Sequence, residues 1–559
     1  MPIQHGLNKG SVLRKFVLGA HPIIEHFVSR LKIRETISDY LGFDQRFKIE
    51  DDKILSLLIH NILTTPYPLY EIGDWSQTLD IERLDITLEQ MEFIQDDRVG
   101  RALSRFYHCR HQDVFFRLAL RAIKIYELNC SQIHQDTTTV TFAGKYSGWS
   151  AQELLTHGHN KDHRPDLKQL VLGLSVTADC AIPLLPQVYD GNQTDDQLHL
   201  ANHKRFQKLL QRIDFIYVAD CKLATVKNLG KIAEWHGFFV SIMPRTWKED
   251  EDFRTKVRQG KIQWKQILSR PNNRKPSSKL DQYWVAEGTY STSQGYRLDW
   301  IRSTQKAEQD AETRQRHIEQ ALTALRALQP RLNSYTLKRR KLIAQAIRQI
   351  LKKEQCETLI DYKIYATREY KQVYAKKGRP VNDAPHDLVW KNIFSITFSL
   401  NKEAVNQEEK TDGVFPLITN LDTETYPSKK LLEIYKFQPF LEKRHSQIKT
   451  YQEVAPVYLK NGERVVAFLY MQVMALMVAT LIERQLRLAM RIQGLDSLPI
   501  YPESRACKTP TMFDIVRLFH GVERFEVSAQ DNQILFPASL TATQKNVLKL
   551  LEVPMAAYQ

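Results

Sequence analysis

Apolar positions recur at helical spacing through the first hundred residues, then give way to an extended, β-branched rhythm. Pro22 to Leu41 (PIIEHFVSRLKIRETISDYL) and Lys53 to Thr64 carry apolar side chains three and four residues apart, the stripe of an amphipathic helix. Arg98 to Arg121, RVGRALSRFYHCRHQDVFFRLALR, adds a basic, aromatic-rich helical stretch. These segments predict a helical N-terminal domain over 1–125, suited either to binding DNA ends or to a plain adaptor role. No helix-turn-helix spacing singles out a recognition helix.

From Ile133 the period changes. HQDTTTVTF is rich in β-branched residues, Lys168 to Thr177 is a second extended run, and Ile182 to Tyr189 a third, after a turn at Ala178-Asp179-Cys180. Thr194 to Ile213 has helical spacing. Phe215 to Ala219 is a short apolar run suited to a buried parallel strand, and it ends at Asp220. A helix at about Ala224 to Trp235 and a strand at Phe238 to Met243 complete the series. Three strands, helix, strand, helix, strand is the order of an RNase H-like core. The fold class expected is therefore α/β: an RNase H-like mixed-sheet core with an N-terminal helical domain and an inserted α+β domain.

The core is expected in two parts, 126–245 and 413–497, around an insert at 246–412, with an uncertain C-terminal segment at 498–559. Within the insert, Tyr283 to Trp300 reads as a hairpin. Ser303 to Leu328 and Tyr335 to Lys353 read as two antiparallel helices, with Ile318, Leu322 and Leu325 facing Ile343, Ile347 and Ile350. Asp412-Gly413 reads as a turn. Val465 to Ile482, interrupted only by Gln472 and Thr480, has the minimum length of a membrane span, but fits a helix buried on all sides better.

Composition narrows the partners. The 559 residues carry a formal net charge of +15, which suits an anionic polymer, nucleic acid before a membrane surface. With 43% hydrophobic residues the chain can bury a sizeable core, so global disorder is excluded. Six scattered cysteines form no CxxC pair and fit a reducing compartment. No secretory pattern opens the chain, so a cytoplasmic, nucleoid-associated location without a membrane is expected. Lys338-Arg339-Arg340-Lys341 is a solvated face or a DNA-backbone contact.

The candidate chemistry rests on three acids. Asp136 lies inside the first strand, Asp220 ends the fourth, and Glu442 sits in YKFQPFLEKRHSQIK, residues 435–449. The plain alternatives are an exposed strand position for Asp136 and a helix N-cap for Asp220. A helix from about Gln438, with Pro439 in its first turn, places Glu442, His445 and Lys449 on one face. Three oxygen donors suit a hard cation such as Mg²⁺, with Mn²⁺ able to substitute. Two such ions can serve an in-line phosphodiester displacement. His157, His159 and His163 fit DNA contact or loop packing better than a transition-metal site, and Asp195 fits a turn or cap.

On these residues the chain resembles the insertion-sequence DDE transposases with the signature Y-x2-R-x3-E-x6-K. Tyr435, Glu442 and Lys449 match it in type and spacing, while Gln438 stands where the family has arginine. GHNKDHRPDLKQ at 158–169, YDGNQTD at 189–195, and the stretch 442–465 with the apolar run and LIER after it are also similar. The resemblance implies Asp136, Asp220 and Glu442 as metal ligands, with an inserted domain in the 222 residues between the last two (442 − 220). It implies Tyr435 and Lys449 on the transposon-end backbone; Lys436 and Arg444 are neighbouring cations available to supply the charge absent at Gln438. Its further implications are cut-and-paste transposition, terminal inverted repeats and target DNA as partners, and a homodimer in the active complex. The alternative is a DNA-binding protein of this descent with weakened or lost catalysis.

Overall fold

The computed structural model describes residues 12–64, 66–142, 155–156, 167–193, 197–271, 280–334, 336–374, 386–451, 459, 461–529 and 532–559. His157, His159, His163 and Asp195 lie outside these residues. The chain forms two compact units, Met1–Ser241 with Leu432–Gln559, and Ile242–Leu431.

In the first unit, β1 (Val12–Val17) runs antiparallel to Glu523–Ala529, which pairs in turn with Asn532–Phe536. The first amphipathic stretch divides into helices His21–Arg30 and Ile33–Leu41 because Lys32 adopts a left-handed backbone, φ 52°. Helix Asp51–Thr64 is buried on almost every side, and Asp96–His108 and His111–Tyr126 follow it. Many arginines of this region turn inward. Arg98 lies 2.7 Å from Asp51, and Arg105 contacts both Asp51 at 2.8 Å and Asp44 at 2.6 Å. Arg121 donates to the Leu31 carbonyl at 2.9 Å. Their charge holds helices together instead of facing a polyanion.

Helix Gly462–Ile492 is the core of this unit. Its most apolar window has a mean hydropathy of 2.3 and is 94% buried within the protein, which accounts for the span-like run without a membrane. Asn461 caps its start. Gly100 leaves room for the Arg464 guanidinium, which would stand 2.5 Å from a Cβ at that position.

The sheet of this unit comprises β2 (Gln132–Phe142), β3 (Lys168–Thr177), β4 (Gln187–Asp190), β5 (Ile216–Val218) and β6 (Phe238–Ile242), in the order β4-β3-β2-β5-β6. The pairs β2–β3 and β3–β4 are antiparallel, whereas β2–β5 and β5–β6 are parallel. Helices His199–Leu210 and Val226–Glu234 provide the connections that parallel strands require. The third strand is shorter than its sequence suggests. Pro183 and Pro186 interrupt the run, leaving an isolated bridge from Val176 to Pro183 before β4.

The second unit contains β7 (Trp264–Pro271), β8 (Leu280–Ala286) and β9 (Arg297–Ser303), with β8 antiparallel to both neighbours. It adds a ribbon of β10 (Ile360–Tyr374) and β11 (His386–Leu400), and β12 (Val414–Thr419) antiparallel to β9. Helices Thr304–Leu328 and Arg340–Lys353 pack through Ile318 and Leu325 against Ile343 and Ile347, over Phe394 and Ile396 of the ribbon. Asp412-Gly413 is a turn, Gly413 having φ 78°.

Candidate active site

The register of β2 against β5 aligns the two aspartates. Gln132 faces Ile216, Ile133 faces Tyr217, and His134 faces Val218. Two residues further along each chain stand Asp136 and Asp220. Asp136 is still within β2, whereas Asp220 stands just past the end of β5, where the chain turns. Asp136 is held from both sides. The Thr137 N–H donates to its Oδ1 at 2.8 Å, and its carboxylate lies 3.8 Å from His445 Nδ1. It is partly open, with 18% of the side chain exposed.

Asp220 is not a helix cap. Thr225 caps the following helix by accepting from the Asn228 N–H, while Asp220 Oδ1 accepts from the Lys222 N–H at 3.0 Å in a tight turn. Ser241 Oγ donates to the Asp220 carbonyl at 2.6 Å, tying the strand end to β6.

The signature is spread over three short elements. Tyr435 ends helix Ser428–Tyr435, Glu442 lies on helix Gln438–Ser446, and Lys449 falls in a π turn, Gln447–Tyr451. Pro439 occupies the first turn of the second helix, and Lys443, Arg444 and His445 face its negative end. Lys449 follows Glu442 and His445 across the change from α to π winding after Ser446.

Gln438 and Arg444 point into the protein. Gln438 is buried, donates to the Gln135 carbonyl at 3.1 Å and meets His134 Nδ1 at 3.4 Å, so it pins its helix onto β2. Burial lowers the His134 pKa to about 4, which keeps that ring neutral at physiological pH. Arg444 donates to the Cys180 carbonyl at 2.8 Å and to Glu483 at 3.0 Å, both side chains being buried. Both side chains are engaged within the protein, Gln438 by β2 and Arg444 by the Cys180 carbonyl and Glu483. His445, three residues from Glu442 and on its face by spacing, lies against Asp136.

Tyr435 draws the acids together. Burial pushes its phenol pKa well above the ordinary value, and the negative charges of Asp220, Cys221, Glu442 and Asp136 push it the same way. The residue as a whole is partly exposed. Three acids from two adjacent strands and a helix thus act electrostatically on one protonated phenol, a competent hydrogen-bond donor. Their donor set is all oxygen, the class a hard cation takes. Among the described residues no three His, Cys, Asp or Glu side chains already stand as a ligand cluster, so an ion would have to draw these carboxylates together. Lys338, Arg339, Arg340 and Lys341 lie in the second unit, exposed at the start of helix Arg340–Lys353.

The chain matches a family described as a domain of unknown function (DUF4277) over residues 16–120. No curated protein matches it. Among solved structures it is similar to that titled "Cryo-EM structure of piggyBac transposase synaptic complex with hairpin DNA (SNHP)", at 8% identity and a TM-score of 0.36. That alignment covers 88% of this chain and 79% of the other.

Proposed function

We propose that the protein is a cut-and-paste DNA transposase with an RNase H-like core, whose Asp136, Asp220 and Glu442 carboxylates hold Mg²⁺. What supports this reading best is that Asp136 and Asp220 each come two residues after the last paired residues of adjacent parallel strands, and that both act with Glu442 on the Tyr435 phenol. Bound Mg²⁺ would lower the barrier to displacement at phosphorus by activating the attacking oxygen and stabilising the leaving one. The chain's own part is positional. Gln438 fixes the Glu442 helix to β2, Thr137 orients Asp136, and the Lys222 N–H orients Asp220. The Tyr435 hydroxyl, kept protonated, donates to a non-bridging phosphate oxygen, and Lys449 supplies a point charge on the same backbone. Terminal inverted repeats and target DNA are the substrates, met by a homodimer that pairs the two ends.

The test is cleavage of DNA bearing the element's own ends, with Mg²⁺ and with EDTA. Asp136→Asn should lower cleavage at least about 10³-fold, on the scale of losing a principal electrostatic group, while end binding changes less than threefold. Equal loss of binding would assign Asp136 to folding, and unchanged cleavage would remove it from the site. A second reading, a DNA-binding protein without catalysis, is favoured by one observation: Gln438 replaces the signature arginine and is buried. Specific end binding without nicking in Mg²⁺ or Mn²⁺ would establish it.

A further inference from the structure

Behind the Glu442 helix lies a cavity of about 700 Å³ in the first unit. Phe440, Lys443 and Arg444 line it from that helix. At about 100° per residue Phe440 and Arg444 fall on the side opposite Glu442 and Lys443 on the flank between, so the cavity lies across the helix from Glu442. The facing wall is the last turns of helix Gly462–Ile492, with Arg484, Arg487 and Arg491 repeating at helical spacing. Five lysine and arginine side chains against three acids leave the lining positive.

The cations divide into two groups. Arg484 is fixed by Asp179 at 2.7 Å, and Arg487 by the Pro510 carbonyl at 2.7 Å, as Arg444 is by Glu483. These build a rigid wall. Lys443 and Arg491 line the cavity and are exposed. Phe440 is 55% exposed and stacks on Phe437, ring centroids 4.8 Å apart. An exposed aromatic face beside point charges, in a cavity of ligand size, matches a nucleotide: the ring takes a base and the cations take its phosphate.

We propose that this cavity receives a nucleotide unit of an unpaired DNA strand, the base on Phe440 and the phosphate between Lys443 and Arg491. The assignment rests on the transposase reading for its substrate class and adds a second contact behind the cleaving face. Occupancy would brace the helix that carries Glu442.

The test uses the full chain in EDTA, where cleavage is silent. Anisotropy would follow a labelled single strand of about 12 nucleotides, with competition by the matching duplex and by a free deoxynucleoside monophosphate. Phe440→Ala and Lys443→Glu should each weaken single-strand binding about tenfold, the scale of one lost stacking contact. Lys443→Glu should also flatten the salt dependence, and Phe440→Tyr should retain affinity. Unchanged affinity in both weakened variants would overturn the assignment. So would a free monophosphate competing as well as the strand, which would make the ligand a free nucleotide. The two readings fail separately. Unchanged single-strand affinity with Mg²⁺-dependent end cleavage would sink only the cavity, whereas the expected loss without any cleavage would sink only the transposase.

Discussion

Buried imidazoles give the first unit an acid-sensitive stability that follows from single residues. His203 is fully buried, packed against Phe215, Tyr217 and Trp235, and neither ring nitrogen has a hydrogen-bond partner among the described residues. Burial lowers its pKa from 6.5 to about 4. The unfolded chain takes up this proton as pH falls through 6.5, while the folded chain refuses it until about 4. Stability is therefore full above the unfolded pKa and is lost as pH falls between those values. The magnitude is on the order of 3 kcal/mol for one such group. His203→Leu should flatten the denaturation midpoint across pH 6.5 to 4 relative to the unaltered protein. A slope identical in both would assign the acid sensitivity elsewhere, with His134 the next group to test.

At the scale of elements, docking of helix Gln438–Ser446 on β2 is the joint that positions the site. Gln438→Ala removes both polar contacts to that strand and leaves the buried Gln135 carbonyl without this donor, at a cost of about 1–3 kcal/mol. Cleavage should fall more steeply than stability, since a displacement of about 1 Å in a catalytic group can cost about 10²-fold. Thermal melts and end-cleavage rates on the same variant separate the two, and a rate that only tracks the melt would reduce Gln438 to a packing residue. This joint was half legible in the sequence. Pro439, the threonines of β2 and the apolar run ending at Asp220 marked the elements, but no periodicity reveals that a glutamine at a signature position points at a strand backbone. The same limit hid β12, where Pro416 sits inside a buried strand and reads as a breaker. The near ends of β10 and β11 did carry a strand signal, Phe394, Ile396 and Phe398 alternating with Ser395, Thr397 and Ser399, and they pack with Ile360 on the helices of the insert. The span-like helix was legible because an unbroken apolar run has few other solutions in a protein core.

For the whole molecule, the excess of 79 lysines and arginines over 64 acids matters less than where the charges point. Arg98, Arg105, Arg254, Arg314 and Arg444 are all engaged by carboxylates in their own units, so these five spend their charge on internal pairs. Lys338, Arg339, Arg340 and Lys341 instead stand exposed, four successive cations entering a helix, where their repulsion of the positive end of the dipole is unfavourable unless an anion meets them. Replacing all four with alanine should leave the melting transition within about 0.5 kcal/mol, as surface changes do. Affinity for duplex ends should fall, and the slope of log K against log salt should lose about 0.9 for each of the four that meets a phosphate. Binding isotherms over a salt series read that slope directly. An unchanged slope would mean that this run is solvated surface, and would leave the polyanion to the exposed cations of the first unit, Lys443 and Arg491 foremost.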